Sequence, residues 1–150
     1  MKRARPRPPR STCPISTALE VLGDPWTLLV VRDLMFKGKK NFLEFLDAGE
    51  GIATNILADR LHRLESAGIV EKQRDPADGR KHIYLLTEKG IGLSPLLTEM
   101  VLWSARHFTT TAPPAVIREM TRHRQRFLAG VRKEWEKNQR QIGRKGTKAR

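Results

Sequence analysis

The sequence has little of several features that define whole classes of proteins. It contains one cysteine, Cys13, in 150 residues, so no disulfide within the chain can stabilise its fold. No stretch approaches the roughly 18 consecutive apolar residues of a transmembrane helix. The basic N-terminus is not followed by the apolar run of a signal peptide. We therefore expect a cytoplasmic protein that does not enter a membrane.

The sequence also lacks the patterns of common catalytic and metal sites. Its four histidines are scattered without ligand spacing. Neither a phosphate-binding glycine loop nor a nucleophile paired with a base is present. One cysteine is too few for a thiolate metal site. These absences predict a protein that is not an enzyme and that binds no metal or other cofactor.

Acidic residues are scarce at both ends of the chain. The net charge is +13, yet residues 1–10 hold five cations and no acid, and residues 114–150 hold twelve cations and three acids. The part between them is close to neutral. This excess of cations suggests a polyanionic partner. It leaves open an architectural or RNA-associated protein that binds nucleic acid nonspecifically through its tails.

The composition divides the chain into three segments. Residues 1–12 are rich in proline and arginine and predict a disordered basic arm, which either lies along DNA or serves only solubility. Residues 13–113 contain the patterns of one compact domain. Residues 114–150 predict a basic helix at about 115–141, followed by a flexible basic tail.

The first part of the domain predicts three helices. Cys13-Pro14 opens a short helix that Gly23 ends. Asp24 is a suitable N-cap for a second helix at about 25–36, whose apolar composition predicts the most buried element. Asn41 caps a short third helix.

The segment 52–64 predicts a helix with two different faces. Leu57, Leu61 and Leu64 recur at helical spacing and predict its buried side. The opposite side carries small and hydrogen-bonding side chains, which suit the major groove of DNA. The candidate base-contacting residues are Thr54, Asn55, Ala58, Asp59, His62 and Arg63. A solvated helix face is the alternative interpretation.

A hairpin follows this helix. Residues 69–74 and 81–86 predict two strands, and 75–80 is dense in turn-forming residues. Cations surround the tip, which is typical of a hairpin that rests on the DNA backbone. The candidate phosphate-contacting residues are Lys39, Lys40, Arg74, Arg80 and Lys81. A hairpin kept soluble by its charge is the alternative.

Thr87 predicts the N-cap of a single helix that runs from residue 88 to about 109. One side of this helix carries an apolar stripe, and further apolar residues extend the apolar surface beyond it. Together they exceed what a small core can cover. The stripe is Leu93, Leu97, Met100 and Trp103, and the additional positions are Leu102 and Phe108. This surplus predicts a surface for self-association.

Several motifs in this order resemble the HxlR-type winged-helix regulators, which are relatives of the MarR group. The motifs are Cys13-Pro14, residues 18–34, residues 55–70, residues 75–90 and Trp103. One departure is Ala53, which stands where many members carry a Ser or Thr cap. The cap of the following helix is therefore expected at Ala53 or one residue later.

The resemblance implies a mainly α fold with a small β-hairpin, a winged helix-turn-helix with dimerisation helices and an extra C-terminal basic helix. It implies a bacterial or archaeal, nucleoid-associated homodimer that binds a pseudo-palindromic operator in double-stranded DNA and regulates transcription. Residues 54–66 would enter the major groove, and the wing at 70–86 would contact the backbone. Helices at 14–22 and 88–108 would form the dimer interface.

The resemblance also makes Cys13 a candidate redox sensor, since several members carry a cysteine before proline that responds to oxidants or electrophiles. A small-molecule or oxidant effector is thus implied without an identity. Sensing requires an exposed thiol with a lowered pKa, to which the nearby Arg10 and the helix start would contribute. An unreactive intracellular cysteine is the alternative.

Overall fold

The computed structural model of the protein describes residues 10–148, with side chains through Gly143. Residues 1–9 of the predicted arm and 149–150 of the predicted tail lie outside the described residues. The helices are α1 (Pro14–Leu22), α2 (Thr27–Phe36), α3 (Phe42–Leu46), α4 (Thr54–Ser66), α5 (Glu88–Ile91), α6 (Ser94–His107), α7 (Pro114–Arg122) and α8 (Arg124–Lys148). The strands are β1 (Val70–Arg74) and β2 (His82–Leu86). Within 10–148, no helix has the length and apolarity needed to cross a bilayer.

Side-chain hydrogen bonds to the backbone organise the chain before α2 and at the start of α3. The Asp24 carboxylate accepts hydrogen bonds from the backbone N–H groups of Trp26 and Thr27 at 2.9 and 3.0 Å. The helix itself begins at Thr27, two residues later than predicted. Asn41 and Glu44 form a capping box in which each side chain accepts from the other's backbone N–H at 3.1 Å. Asn41 is thus the predicted cap of α3, whereas Asp24 accepts from the turn that leads into α2, whose N-cap is Trp26.

One sheet face and α4 form the centre of the core. The two strands are antiparallel, with Val70 opposite Leu86 and Arg74 opposite His82. The buried cluster combines residues of the hairpin with the inner side of α4 and with α2. Its members are Val30, Val31, Phe45, Leu57, Leu61, Leu64, Ile69, Val70, Tyr84, Leu86, Ile91 and Leu97. The mainly α fold with one small hairpin is confirmed.

The most buried element is β2 rather than α2, which corrects the prediction. Four of the five β2 residues are buried, whereas α2 buries four of ten. Tyr84 and Leu86 face the core, and the alternate residues Ile83 and Leu85 are nevertheless only 5% and 6% exposed. Both faces of this strand are therefore covered, since successive residues of a strand point to opposite sides.

The predicted single helix from residue 88 to 109 is wrong, because the structure divides it into α5 and α6. Thr87 caps α5 as predicted, since its hydroxyl accepts from the backbone N–H of Gly90 at 3.1 Å. A turn at Gly92–Leu93 then separates the helices, and Pro95 lies in the first turn of α6. Proline has no N–H to donate to the preceding turn, so a helix restarts there more readily than it continues.

The second long helix is also divided. His123 ends α7 with φ −129° and ψ 41°, outside the helical region, and α8 begins at the next residue. The predicted single helix at 115–141 is therefore wrong. The tail predicted as flexible from residue 143 is helical as far as Lys148.

The C-terminal extension packs on the domain of its own chain. Met120 of α7 is buried, and the ring of Phe127 lies 6.4 Å from that of Phe36 in α2. Further along α8, Trp135 Nε1 and Gln139 Nε2 both donate to the carbonyl of Leu86 at 2.8 Å. These contacts make α7 and α8 part of the folded unit.

Candidate nucleic-acid interface

The two-faced character predicted for α4 is confirmed. Leu57, Leu61 and Leu64 are fully buried against the hairpin and α2. The candidate base-contacting residues all occupy exposed positions, and they are Thr54, Asn55, Ala58, Asp59, His62 and Arg63. An exposed helix face with this composition, fixed by a packed opposite face, is the arrangement needed to enter a major groove.

The cap of α4 does not shift. Ala53 is the N-cap and provides no side-chain hydrogen bond, and Thr54 is the first helical residue. The first-turn backbone N–H groups therefore have no partner from a capping side chain. Such groups favour anionic oxygen atoms at a helix start.

Two arginines of α4 have different surroundings. The Asp59 carboxylate lies 3.1 Å from Arg63 Nε on the exposed face and 3.4 Å from Arg60 Nη1. Arg60 is largely buried, and its Nε lies 3.3 Å from Asp24. Arg60 therefore connects α4 to the start of α2. Arg63 remains exposed, with Asp59 beside its guanidinium.

Asp24 is a stable anionic partner for this connection. Burial raises the pKa of its carboxyl. Hydrogen bonds from the Thr27 side chain and from the Trp26 and Thr27 backbone, together with the nearby Arg60, lower the pKa by more than burial raises it. The net result is a pKa below the ordinary value. Asp24 therefore stays ionised at neutral pH and forms an ion pair with Arg60 in the middle of α4. The sequence pattern around Asp24 indicates a cap but not this ion pair.

The strand register determines which cations of the wing share a side with α4. We define the wing as β1, β2 and the connecting turn at 75–81. Lys72 and Arg74 alternate with Glu71 and Gln73, and they lie on the same face as Val70, which packs in the core with α4. The opposite face carries the acidic and amide residues. The wing therefore directs the cations of its first strand to the side of the sheet that α4 occupies.

The wing tip carries cations that a nearby carboxylate partly neutralises. Arg80 Nε and Lys81 Nζ lie 3.0 and 3.7 Å from the Asp78 carboxylate. Hydrogen bonds from the Arg80 side chain and backbone lower the pKa of Asp78. Arg74 donates to the Gly79 carbonyl at 3.2 Å across the turn. In sequence, Asp78 is one of the turn formers at 75–80, and its position two and three residues before Arg80 and Lys81 is the signal for this pairing.

Lys39 and Lys40 are placed apart from the wing tip. The Lys40 carbonyl accepts from the Tyr84 backbone N–H at 2.7 Å, so this segment runs along the outer edge of β2. Both lysines are half-buried and border a crevice with Trp135 and Gln139 of α8. The strand register therefore places Arg74 on the α4 side of the sheet, and Arg80 and Lys81 lie at the wing tip beside Asp78. Lys39 and Lys40 lie apart from this tip, at the outer edge of β2.

Cys13 is an exposed free thiol at the N-cap of α1. Its side chain makes no capping hydrogen bond, and its carbonyl accepts from the Thr17 hydroxyl at 3.1 Å. The nearby Arg10 guanidinium donates to the Ser16 hydroxyl at 3.5 Å. The thiol is therefore accessible to solutes, which is one of the two conditions for chemical sensing.

Two helices expose apolar side chains that the described part of the chain, residues 10–148, does not cover. No residue of α1 is buried, and Ile15 is 71% exposed. On α6, Leu97 turns into the core, whereas Leu96, Met100 and Trp103 form an exposed stripe in which Trp103 is 57% exposed. The exposed apolar stripe therefore differs from the predicted one. Leu93 and Leu97 pack inward, and Leu102 is also buried.

A helix with a packed inner side, followed by a cationic two-stranded hairpin, defines a winged helix-turn-helix protein. A model of HxlR-like helix-turn-helix proteins matches residues 21–112, and the chain belongs to this family. It is a transcriptional regulator and not an enzyme.

Known proteins similar to this chain are regulators as well. The HTH-type transcriptional regulator YodB of Bacillus subtilis is 40% identical over 93 residues, which cover 61% of this chain and 82% of YodB. The crystal structure of PA1607, described as a candidate transcription factor, is 36% identical with a TM-score of 0.62, over 69% of this chain and 71% of that one. The redox regulator HypR in its oxidised form is 31% identical with a TM-score of 0.58, over 65% of this chain and all of HypR.

Proposed function

We propose that this protein is a homodimeric, sequence-specific regulator that binds a pseudo-palindromic operator in double-stranded DNA at the bacterial or archaeal nucleoid. In each protomer, α4 enters the major groove and the wing contacts the backbone. The observation that carries the proposal is the shared side of α4 and the wing. The exposed polar residues of α4 are fixed by its packed inner side, and Lys72 and Arg74 of the wing lie on the side of the sheet that α4 occupies.

The side chains of α4 suit different parts of the recognition. Asn55, near the helix start, can pair with adenine through two hydrogen bonds, and the Ala58 methyl fits against a thymine methyl. Asp59 holds the Arg63 guanidinium at 3.1 Å, which orients it for a guanine. Thr54 and His62 complete the surface as hydrogen-bonding groups.

The wing supplies contacts that fix orientation. Arg74, Arg80 and Lys81 surround its tip, where phosphate contacts position a protein without reading sequence. Lys39 and Lys40 are separate candidates for the backbone, since they lie at the outer edge of β2. The surplus apolar surfaces of α1 and α6 fit a two-fold interface. Two recognition helices then predict half-sites about 34 Å apart or a multiple of that distance.

The alternative function is nonspecific binding of nucleic acid through the basic ends. The distribution of charge favours it, because the chain between the ends is nearly neutral. The packing of α7 and α8 on the domain argues against independent tails, since Met120 and Trp135 belong to the folded unit. For the same reason, deletion of the extension is a poor test, because it would uncover buried residues.

Selection of bound DNA from a random duplex pool tests the proposal with the full-length protein. We expect a two-fold symmetric motif at physiological salt, because phosphate binding alone carries no sequence preference. A matched variant, Ala58→Glu/His62→Glu, changes only exposed positions of α4 and should yield no motif while retaining weak binding to any duplex. Absence of a motif from the unmodified protein, with undiminished duplex binding, would support the alternative.

Cys13 is the proposed site of a redox or electrophile response. Its thiol is exposed at the start of α1, a helix proposed for the dimer interface, so its modification would alter how two protomers meet. We expect a quinone or diamide to weaken binding to the selected operator, and the effect to disappear in Cys13→Ser. A response of equal size in the two proteins would exclude Cys13, since the sequence has no other cysteine.

A further inference from the structure

The C-terminal helix α8 covers the wing on the face that points away from α4. Ile83 and Leu85 lie on that face, outside the main core cluster, yet both are buried. Leu85 borders a crevice together with Trp135 and Gln139 of α8. The wing is therefore held between the core on one side and α8 on the other.

The direction of α8 follows from its contacts with the two ends of the wing. At the wing base, Trp135 and Gln139 donate to the Leu86 carbonyl at 2.8 Å. One to two turns later, Ile142 and Gly143 border a cleft with residues 73–76, where β1 enters the tip. The helix therefore runs from the base of the wing towards its tip. Five further helical residues after Gly143 extend it by about 7.5 Å in that direction.

The charge of α8 is concentrated where the helix approaches the tip. The sequence repeats a cation at 133, 137, 140, 144 and 148, and these intervals of three and four residues correspond to one side of a helix. Lys133, Lys137 and Arg140 are exposed. From residue 137 to the end of the chain there are six cations and no acidic side chain.

We propose that α8 is a second phosphate-binding element, which contacts the DNA backbone beside the wing on the side away from α4. The inference rests on the proposed function, because it assumes that the wing tip lies on duplex DNA. The basic extension lies beyond the family match at 21–112. The proposal gives this extension a partner, the DNA backbone, and a position beside the wing. The DNA contacted by each protomer then extends beyond the half-site read by α4.

The test compares two full-length variants that lose the same charge. Lys137→Gln/Arg140→Gln removes two exposed cations from the part of α8 near the wing, and Arg118→Gln/Arg122→Gln removes two exposed cations from α7. Binding to the selected operator is measured against salt concentration, and hydroxyl-radical footprints are recorded for each protein. Thermal unfolding of each variant checks that these exposed substitutions leave the fold intact.

We expect the α8 variant to lower the slope of log affinity against log salt by about 2 and to lose protection of the flanking backbone. The α7 variant should change neither. Equal losses in the two variants would show general attraction by charge, and unchanged flanks in the α8 variant would show no contact, so either result overturns the inference. Protection of the half-sites should persist in both variants. An unmodified protein that protects no half-site would instead overturn the proposed function, and this inference with it.

Discussion

Asn55→Ala is expected to weaken operator binding by about 1–3 kcal/mol per half-site and to relax the preference for one base pair. Asn55 is exposed at the start of α4, so its loss uncovers no core residue and removes only the proposed pair of hydrogen bonds. The measurement is binding to the selected operator and to operators changed at each position. The variant should lose discrimination at one symmetric pair of positions and keep it elsewhere.

Arg80→Ala is the matched control for that prediction. The Arg80 side chain lies at the wing tip beside Asp78 and is not part of the recognition helix α4. Its removal should weaken binding to all sequences alike and lower the salt slope by about 1, while base preferences stay unchanged. If Asn55→Ala also weakened all sequences alike, α4 would contact the backbone rather than bases. The orientation proposed for α4 would then be wrong.

The sequence was sufficient where structure depends on neighbouring residues. The spacing of Leu57, Leu61 and Leu64 determines which side of α4 is buried, and it therefore also predicts which residues are exposed. The turn at 75–81 and the caps at Asn41 and Thr87 are likewise local features. The candidate residues on α4 could be predicted for this reason, although their DNA contacts stay a prediction.

The division of the helix after the wing required knowledge of distant contacts. Gly90 looks like a weak helical residue in sequence, but a Cβ there would lie 2.2 Å from the Ile69 carbonyl oxygen. The close approach of α5 to the start of β1 thus requires glycine. Periodicity alone connected α5 to α6 across Gly92 and Pro95, because the apolar spacing continues after the turn.

The position of α8 could not be predicted from local patterns at all. Trp135 and Gln139 meet the Leu86 carbonyl across about fifty residues of sequence. Their spacing of four places them on one side of a helix but does not identify the partner. The charge of Lys39 and Lys40 makes them phosphate-contacting candidates but does not predict that the Lys40 carbonyl pairs with the Tyr84 N–H, which places them at the outer edge of β2.

The substitution Met100→Glu/Trp103→Glu is expected to convert the proposed homodimer into a monomer. Both side chains belong to the exposed stripe of α6, so in the monomer each glutamate remains in water and the fold should persist. In a dimer, the carboxylates would be buried against apolar groups without partners, which is strongly unfavourable. Sedimentation analysis should show a single protomer. Loss of the linked second half-site should reduce apparent operator affinity by about 100-fold or more.

Leu43→Glu provides the control for this prediction, because Leu43 is an apolar residue of α3 that is 68% exposed but lies outside α1 and α6. A charge at this position should leave the dimer and its operator affinity unchanged. If the α6 variant remained dimeric, the protomers would have to meet elsewhere. A monomer that still bound the full operator with unchanged affinity would show that the two half-sites are read independently. Because the proposed function depends on two linked recognition helices, that result would contradict it directly.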